Sequence, residues 1–218
     1  VLNVSATVEA LADEHDLSAD VVEDTVATAR DTLFEAREER TRPPRDEKIL
    51  AGWNGMMISA YADAARMRDA DYAEPARDAL DFVTDHLLDS ETGRLQRRFI
   101  DGDVAGEGYL EDYAFLARGA FDLYQATGDL QPLSVALDLV DTIVSAFWDA
   151  ETKTIYFTPD DGEELVTRPQ ELTDSSTPSS LGATVDLLCE LDGFVADADY
   201  REIAGEVLAT HSNRITGN

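Results

Sequence analysis

Cysteine and lysine are scarce in this sequence, and each scarcity excludes a class of protein. Cys189 is the single cysteine among 218 residues, which excludes an internal disulfide and a cysteine-rich metal site. We interpret Cys189 as a core residue, because valines and leucines surround it along the chain. The sequence also lacks an 18-residue apolar run, a glycine-rich phosphate loop, a histidine-rich metal set and a Gly-x-Ser-x-Gly nucleophile motif. We therefore expect no membrane span, no metal and no cofactor.

Basic residues are few compared with acidic ones. The chain has 46 acidic residues against 17 basic ones, only two of them lysines, and its net charge is -29. Such an excess opposes binding to nucleic acids and to anionic membranes, since both require cationic side chains. The acidic residues are spread along the chain, and 44% of all residues are hydrophobic. We therefore expect a folded protein of a halophilic cytoplasm, where salt screens self-repulsion.

Apolar periodicity predicts an all-α protein. A short helix is expected over residues 3–15 and an amphipathic helix over residues 19–39. Three pairs of helices follow, and in each pair the first helix is apolar nearly all round while the second is apolar on one face. This contrast predicts an inner helix that is buried on both sides and an outer helix that faces water.

The paired helices recur with a period of about 60 residues. The pattern Asp-x-Glu-Thr occurs at Asp89 and again at Asp149, which are 60 residues apart in the sequence. The long connections that contain it show strand-like alternation at residues 94–97 and 154–158. Because the helices of a hairpin are antiparallel, the long connections and the starts of the inner helices should lie at one end of the structure.

Repeated hairpins of this kind predict one domain over residues 1–218, an arc of an (α/α)6 toroid. A closed ring needs six hairpins, and this chain supplies about three and a half. The sequence begins at Val1 rather than at a methionine, so we expect it to be a piece of a longer chain. Its open apolar edges predict self-association. The alternative is an open helical array.

Three motifs lie at the predicted starts of the inner helices: residues 45–58 (Arg-Asp-Glu-Lys-Ile-Leu-Ala-Gly-Trp-Asn-Gly-Met-Met-Ile), residues 108–116 (Gly-Tyr-Leu-Glu-Asp-Tyr-Ala-Phe-Leu) and residues 178–180 (Pro-Ser-Ser). From residue 17 onwards, the sequence resembles the toroid portion of the thioredoxin-domain-containing family typified by spermatogenesis-associated protein 20. The resemblance implies a fold like that of six-hairpin glycosidases and N-acylglucosamine 2-epimerases. It also implies a thioredoxin-like domain as a partner, for which this sequence has no counterpart. Leu181 and Gly182 depart from the family's Pro-Ser-Gly-Asn-Ser motif.

The carboxylates at the helix starts are candidate catalytic groups. Glycoside hydrolysis needs two carboxyl groups, and Asp112 and Asp174 are the natural pair, with Glu111 and Asp46 as further candidates. Trp53, Tyr109 and Tyr113 could stack on a sugar ring. The alternatives are that Asp112 and Asn54 cap helix N–H groups and that Trp53 and Tyr113 face the core.

Basic residues are informative here because they are rare. Five of them lie within twelve positions beside the first motif, and Arg168 lies near the third. They could hold an anionic or sugar ligand together with Asn54, or they could pair with Asp46 and Glu47. The five are Arg37, Arg40, Arg42, Arg45 and Lys48.

Three functions therefore remain open for this sequence. The first is a glycosidase-like site for a sugar-like small molecule. The second is a non-catalytic binding or scaffold module. The third is a sugar 2-epimerase or isomerase, whose proton transfers would need histidine. His15, His86 and His211 all lie away from the inner-helix starts in the sequence, which argues against the third.

Overall fold

The computed structural model describes residues 4–162, 166–196 and 198–216. The chain divides into two compact units, Val1–Asp46 and Glu47–Asn218. The prediction that residues 1–218 form one domain stays a prediction, and each unit is described by itself.

The first unit consists of two helices, α1 (Val8–His15) and α2 (Ala19–Glu38). Each begins at a hydroxyl cap, because Thr7 Oγ1 accepts a hydrogen bond from Ala10 N and Ser18 Oγ from Val21 N. The predicted bounds of α2 are confirmed to within a residue. The predicted start of α1 is too early by several residues, and residue 3 lies outside the described residues.

The second unit contains three helical hairpins among its described residues, as the sequence predicts. The pairs are α3 with α4, α5 with α6, and α7 with α8. Their bounds are Ala51–Met67, Ala73–Leu87, Leu110–Thr127, Leu130–Ala146, Ser180–Leu191 and Tyr200–Thr216, and a 3-10 turn, Ala70–Tyr72, precedes α4.

Short antiparallel strands occupy the long connections. Strands β1 (Ile49–Leu50), β2 (Gln96–Ile100) and β3 (Asp103–Glu107) form one sheet in that order, and β4 (Trp148–Asp149) pairs with β5 (Thr154–Ile155). Asp101 and Gly102 link β2 to β3 with positive φ angles of 50° and 88°, as a tight two-residue hairpin turn requires. The strands predicted near residues 94–97 and 154–158 are present with different bounds, as β2 and β5, while β3 was not predicted.

The repeated Asp-x-Glu-Thr pattern forms the same turn twice. Asp89 Oδ1 accepts hydrogen bonds from the backbone N–H groups of Glu91 and Thr92, and Asp149 Oδ1 accepts them from Glu151 and Thr152. The residue after each pattern, Gly93 and Lys153, has a positive φ. The sequence repeat therefore corresponds to a repeat of local structure.

Helix α5 is the centre of the second unit. It is buried on most of its surface and packs against α3, α6 and α7. The crossing with α3 is close because Gly55 and Gly119 face each other, so that a Cβ added to either glycine would overlap the other helix's backbone. The outer helix α4, in contrast, buries one stripe: Ala76, Leu80, Val83 and Leu87.

The interpretation of Cys189 as a core residue is wrong. Cys189 is exposed, while its neighbours Leu187, Leu188 and Leu191 are fully buried. On a helix, consecutive side chains point about 100° apart, so a residue among buried leucines can still face outward. Cys189 belongs to the face of α7 that lines an open cavity.

Substitution of Gly119 by alanine is expected to destabilise the protein by roughly 2–3 kcal/mol, because the new methyl group forces α3 and α5 apart. Thermal or urea unfolding of the full chain measures this. The matched control is Gly205→Ala in α8, where nothing lies within 4 Å of an added Cβ. That variant should gain up to about 1 kcal/mol from helix propensity. Equal effects at both positions would contradict the close crossing.

Apolar side chains at the predicted open edges lie on α3, where several are exposed, and beside a cavity of α7 and α8, where Leu181 and Val185 are themselves buried. Along α3, Trp53, Met57 and Met67 are 60%, 55% and 80% exposed. On α7 and α8, Leu181, Val185, Cys189 and Leu208 line a cavity.

Self-association through these edges stays a prediction, and sedimentation equilibrium in about 1 M salt, where charge repulsion is screened, tests it. We expect reversible association that Met57→Glu weakens and that Val104→Glu, on exposed β3, does not. A strictly monomeric chain at high salt would contradict the prediction.

Candidate functional site

Asp112 joins the N-terminal ends of two inner helices. Its Oδ1 accepts a hydrogen bond from Gly52 N in the first turn of α3 (3.1 Å), and its Oδ2 accepts one from Tyr109 N at the start of α5 (3.0 Å). Both donors come from helix ends, whose first N–H groups have no partner within the helix. The capping alternative from the sequence is therefore confirmed for Asp112.

Arg97 connects the same carboxylate to the sheet. Its guanidinium donates to Asp112 Oδ2 (2.8 Å) and pairs with Glu111 Oε1 (2.6 Å). Strand β2 carries Arg97 to this position through its pairing with β1, in which Leu50 lies opposite Arg98. One arginine thus bridges two consecutive carboxylates at the start of α5 and balances one of their two negative charges.

Burial distinguishes these two carboxylates. The side chain of Asp112 is 3% exposed and that of Glu111 is 14% exposed. Burial raises the pKa of Asp112, while Arg97 and the backbone N–H groups of Tyr109 and Gly52 act in the opposite direction. Both oxygens of Asp112 already accept hydrogen bonds, so Glu111 is the member of the pair with more access to a ligand.

The candidate aromatic residues have three different environments. Tyr109 is 37% exposed, its ring lies under the Arg97 guanidinium at 5.0 Å, and it packs against Phe157. Tyr113 is fully buried, and its hydroxyl accepts a hydrogen bond from Leu95 N, so its predicted core position is confirmed. The core position predicted for Trp53 is wrong, because Trp53 lies off the buried stripe of α3 and is 60% exposed.

The motif at the start of α3 is divided between the two units. Arg45 and Asp46 belong to the first unit, whereas Lys48, Trp53 and Asn54 belong to the second. The capping role considered for Asn54 is wrong, because α3 begins before it at Ala51 and the Asn54 side chain donates to the Leu50 carbonyl instead. A ligand contact for Asn54, Arg45, Asp46 or Lys48 stays a prediction.

The start of α7 is organised by Ser179 and Asp174. Asp174 Oδ1 accepts a hydrogen bond from Ser179 N (2.9 Å), and Ser179 Oγ caps the helix by accepting one from Gly182 N (3.0 Å). Asp174 is exposed and lines a cavity of about 460 Å³ that Asp112 does not line. The two predicted catalytic carboxylates therefore have separate environments.

His211 and Arg214 of α8 also line this cavity. The interpretation that no histidine lies near an inner-helix start is therefore wrong for His211, because the antiparallel hairpin returns the end of α8 to the start of α7. Burial and the nearby Arg214 lower the pKa of His211, so its imidazole is largely neutral at pH 7. Its Nε2 lies 2.7 Å from Thr154 Oγ1.

Arg168 makes backbone contacts in its own connection. It donates from Nε to the Thr158 carbonyl (3.2 Å) and from Nη2 to the Ala146 carbonyl at the end of α6 (3.4 Å), and it stacks on Tyr156. These contacts hold the long connection against α6. A role for Arg168 in binding a ligand stays a prediction.

A second charged cluster was missed in the sequence. Arg118 on α5 pairs with Asp122 one turn later and with Asp186 and Glu190 of α7. Ser59 of α3 donates to Asp122, whose pKa is raised by burial. The signal was available, since polar residues recur every three to seven positions on one face of an otherwise apolar helix: Glu111, Arg118, Asp122 and Gln125.

The described residues lack two further features. They contain no group of three or more His, Cys, Asp or Glu side chains placed to hold a metal ion. No described helix combines the length and the apolar character needed to cross a membrane. The cytoplasmic and halophilic assignments stay predictions.

Comparison with known proteins supports the resemblance that the motifs suggested. No protein-family profile matches the sequence. The chain is 31% identical over 225 residues to spermatogenesis-associated protein 20 of Homo sapiens and 30% identical to that of Mus musculus. The alignments cover 99% of this chain but only 29% and 28% of those proteins. The resemblance is confirmed: the chain is homologous to a segment of spermatogenesis-associated protein 20.

Solved structures with the same fold are sugar-processing enzymes. A cellobiose 2-epimerase from Bacillus thermoamylovorans matches with a TM-score of 0.64 at 12% identity, covering 78% of this chain and 46% of the epimerase. A D-mannose isomerase matches with a TM-score of 0.60 at 15% identity, covering 77% and 44%.

A Salegentibacter alpha-1,6-mannanase matches with a TM-score of 0.58 at 14% identity, covering 74% and 46% of the two chains. That structure is of an inactive variant, with two consecutive aspartates replaced by asparagine, in complex with alpha-1,6-mannotriose. The predicted fold, an arc of an (α/α)6 toroid with small strands in its long connections, is confirmed.

Substitution of Asp112 by asparagine is expected to destabilise the chain by about 3–5 kcal/mol. Arg97 loses its buried anionic partner, and the NH2 group of the new amide faces an N–H donor that Asp112 now accepts from. Urea unfolding of the full chain measures the loss. Asp78→Asn, which removes the same charge from the exposed face of α4, should change stability by less than about 0.5 kcal/mol. A similar small effect at Asp112 would contradict its role at the two helix starts.

Proposed function

We propose that this segment supplies one wall of a carbohydrate-binding cleft and that the toroid to which it belongs has glycosidase-like activity. The proposed cleft lies at the starts of the inner helices. The single observation that carries the proposal is the group formed by Arg97, Glu111, Asp112 and Tyr109.

The chemistry of this group suits a sugar. Glu111 and Asp112 are consecutive carboxylates that share one guanidinium, beside the partly exposed ring of Tyr109. A carboxylate paired with arginine can orient hydroxyl groups, and an aromatic face packs against the apolar face of a pyranose. The inactive mannanase variant carries its two substitutions at consecutive aspartates, which is a precedent for a consecutive carboxylate pair in this fold.

The four groups take different roles in the proposal. Glu111 contacts the sugar, because its side chain is more accessible than that of Asp112. Asp112 and Arg97 act as positioning residues that fix Glu111 and the start of α5. Tyr109 supplies the stacking surface, and the exposed Trp53 is a second candidate for that role. Asp174 lines a separate cavity, so the second carboxylate that glycoside hydrolysis needs comes from the remainder of the toroid.

A second candidate function is sugar 2-epimerisation or isomerisation. The observation that favours it is His211, a largely neutral imidazole in the same cavity as Asp174. A neutral histidine can remove the proton next to a sugar carbonyl, and inversion at that carbon also needs an acid that delivers a proton to the opposite face. His211→Asn would remove this activity and leave hydrolysis unchanged.

Proton NMR distinguishes these functions. The full chain is incubated separately with alpha-1,6-mannotriose and with cellobiose, and the products are identified. Hydrolysis produces shorter sugars with new reducing ends, whereas epimerisation changes the C2 configuration of an intact disaccharide. Binding without turnover would identify the non-catalytic module, for which the thioredoxin-like domain of relatives is the proposed partner.

Glu111→Gln is expected to reduce any hydrolysis at least about 100-fold, because it removes the ionisable group while keeping the side-chain shape. The matched control is Glu74→Gln in the exposed first turn of α4, which should retain full activity. Unchanged turnover in Glu111→Gln, or neither binding nor turnover of both sugars by the unaltered chain, would overturn the proposal.

A further inference from the structure

The first unit has an arginine-lined cavity at the C-terminal end of α2. The cavity has a volume of about 700 Å³, and four of its eight lining residues are arginines, Arg37, Arg40, Arg42 and Arg45. The other four are Glu38, Thr41, Pro43 and Pro44. All of these residues belong to one unit, so the cavity is defined by that unit alone.

The arginines of this cavity differ in their partners. Arg42 forms an ion pair with Glu38, and Arg45 also has an interaction partner. Within the described ranges, the exposed side chains of Arg37 and Arg40 make no hydrogen bond or ion pair. The negative end of the α2 dipole attracts Arg37 in the last helical turn, but this partial charge cannot balance the whole cluster.

The local charge is opposite to that of the chain. Across all 218 residues, acidic groups outnumber basic ones by 46 to 17, yet this cavity is lined by four guanidinium groups and one carboxylate. The guanidinium groups that line this one cavity repel each other, and a bound anion would reduce that repulsion. The cavity is thus a local positive site in a strongly negative protein.

We propose that this cavity binds a small molecule that carries a phosphate group. Guanidinium groups donate pairs of N–H groups in a planar arrangement that matches two phosphate oxygens. A volume of about 700 Å³ is in the range of small-molecule sites. Two consecutive prolines, Pro43 and Pro44, restrict the backbone of one wall, which lowers the entropy lost on binding.

A compact anion fits the charge distribution better than a polymer does. A nucleic acid would extend beyond the cavity over a surface that contributes to a net charge of -29. A small phosphate-bearing molecule contacts the cationic cluster alone. This site is independent of the carbohydrate proposal, which rests on residues of the other unit.

Titration of the full chain with inorganic pyrophosphate in about 0.1 M sodium chloride, by calorimetry and by phosphorus NMR, tests the proposal. We expect saturable binding at one site. The double variant Arg37→Gln, Arg40→Gln should bind at least about tenfold more weakly, because it removes charged donors from the cavity. Both residues are exposed, so folding is retained, and circular dichroism verifies this.

The matched control is the double variant Arg30→Gln, Arg68→Gln. It removes the same total charge from exposed positions that do not line this cavity. We expect its affinity for pyrophosphate to stay within about twofold of the unaltered chain, because long-range effects are screened at this salt concentration. Equal losses in the two double variants, or no saturable binding by the unaltered chain, would overturn the proposal.

Discussion

The second unit depends on one buried carboxylate that serves two helices and a strand. Asp112 binds N–H groups at the starts of α3 and α5 and also pairs with Arg97 of β2. Neither helix start has a side-chain hydrogen bond from its own N-cap residue, Leu50 or Tyr109. Asp112 replaces it in both, as a local residue of the first turn in α5 and as a residue 60 positions away in α3.

The glycine contacts make this arrangement possible. Gly55 and Gly119 let α3 and α5 approach backbone to backbone, and a Cβ on Gly52 would lie 3.1 Å from Asp112 Oδ1. The short distance between the helices brings Gly52 N within reach of the carboxylate. The close packing of α3 against α5 therefore also fixes the start of α5, where Glu111 lies next to Asp112. In this way the fold determines the position of the proposed site.

Local patterns made the architecture predictable. Amphipathic spacing gave the outer helices, apolar spacing gave the inner ones, and the two Asp-x-Glu-Thr turns proved to be structurally equivalent. Strand β3 was missed because Asp103–Glu107 lacks a run of β-branched residues and is held by pairing with β2. Tertiary pairing decided its conformation.

The site was less predictable because its contacts join residues distant in sequence. Asp112 was identified, but its link to Gly52 spans 60 residues, and Arg97 was not singled out. His211 was rejected for its position near the end of the sequence, yet the hairpin places it in the Asp174 cavity. Residue type and spacing indicated candidates, whereas the antiparallel pairing of helices decided which ones share an environment.

Hydrogen exchange at the Gly52 amide tests the central claim most directly. Amides in the first turn of a helix usually exchange with solvent quickly, because they have no partner within the helix. Since Asp112 Oδ1 accepts a hydrogen bond from Gly52 N in a buried environment, we expect this amide to be protected nearly as well as the core of α5. Exchange of Gly52 as fast as that of an exposed loop would contradict the account.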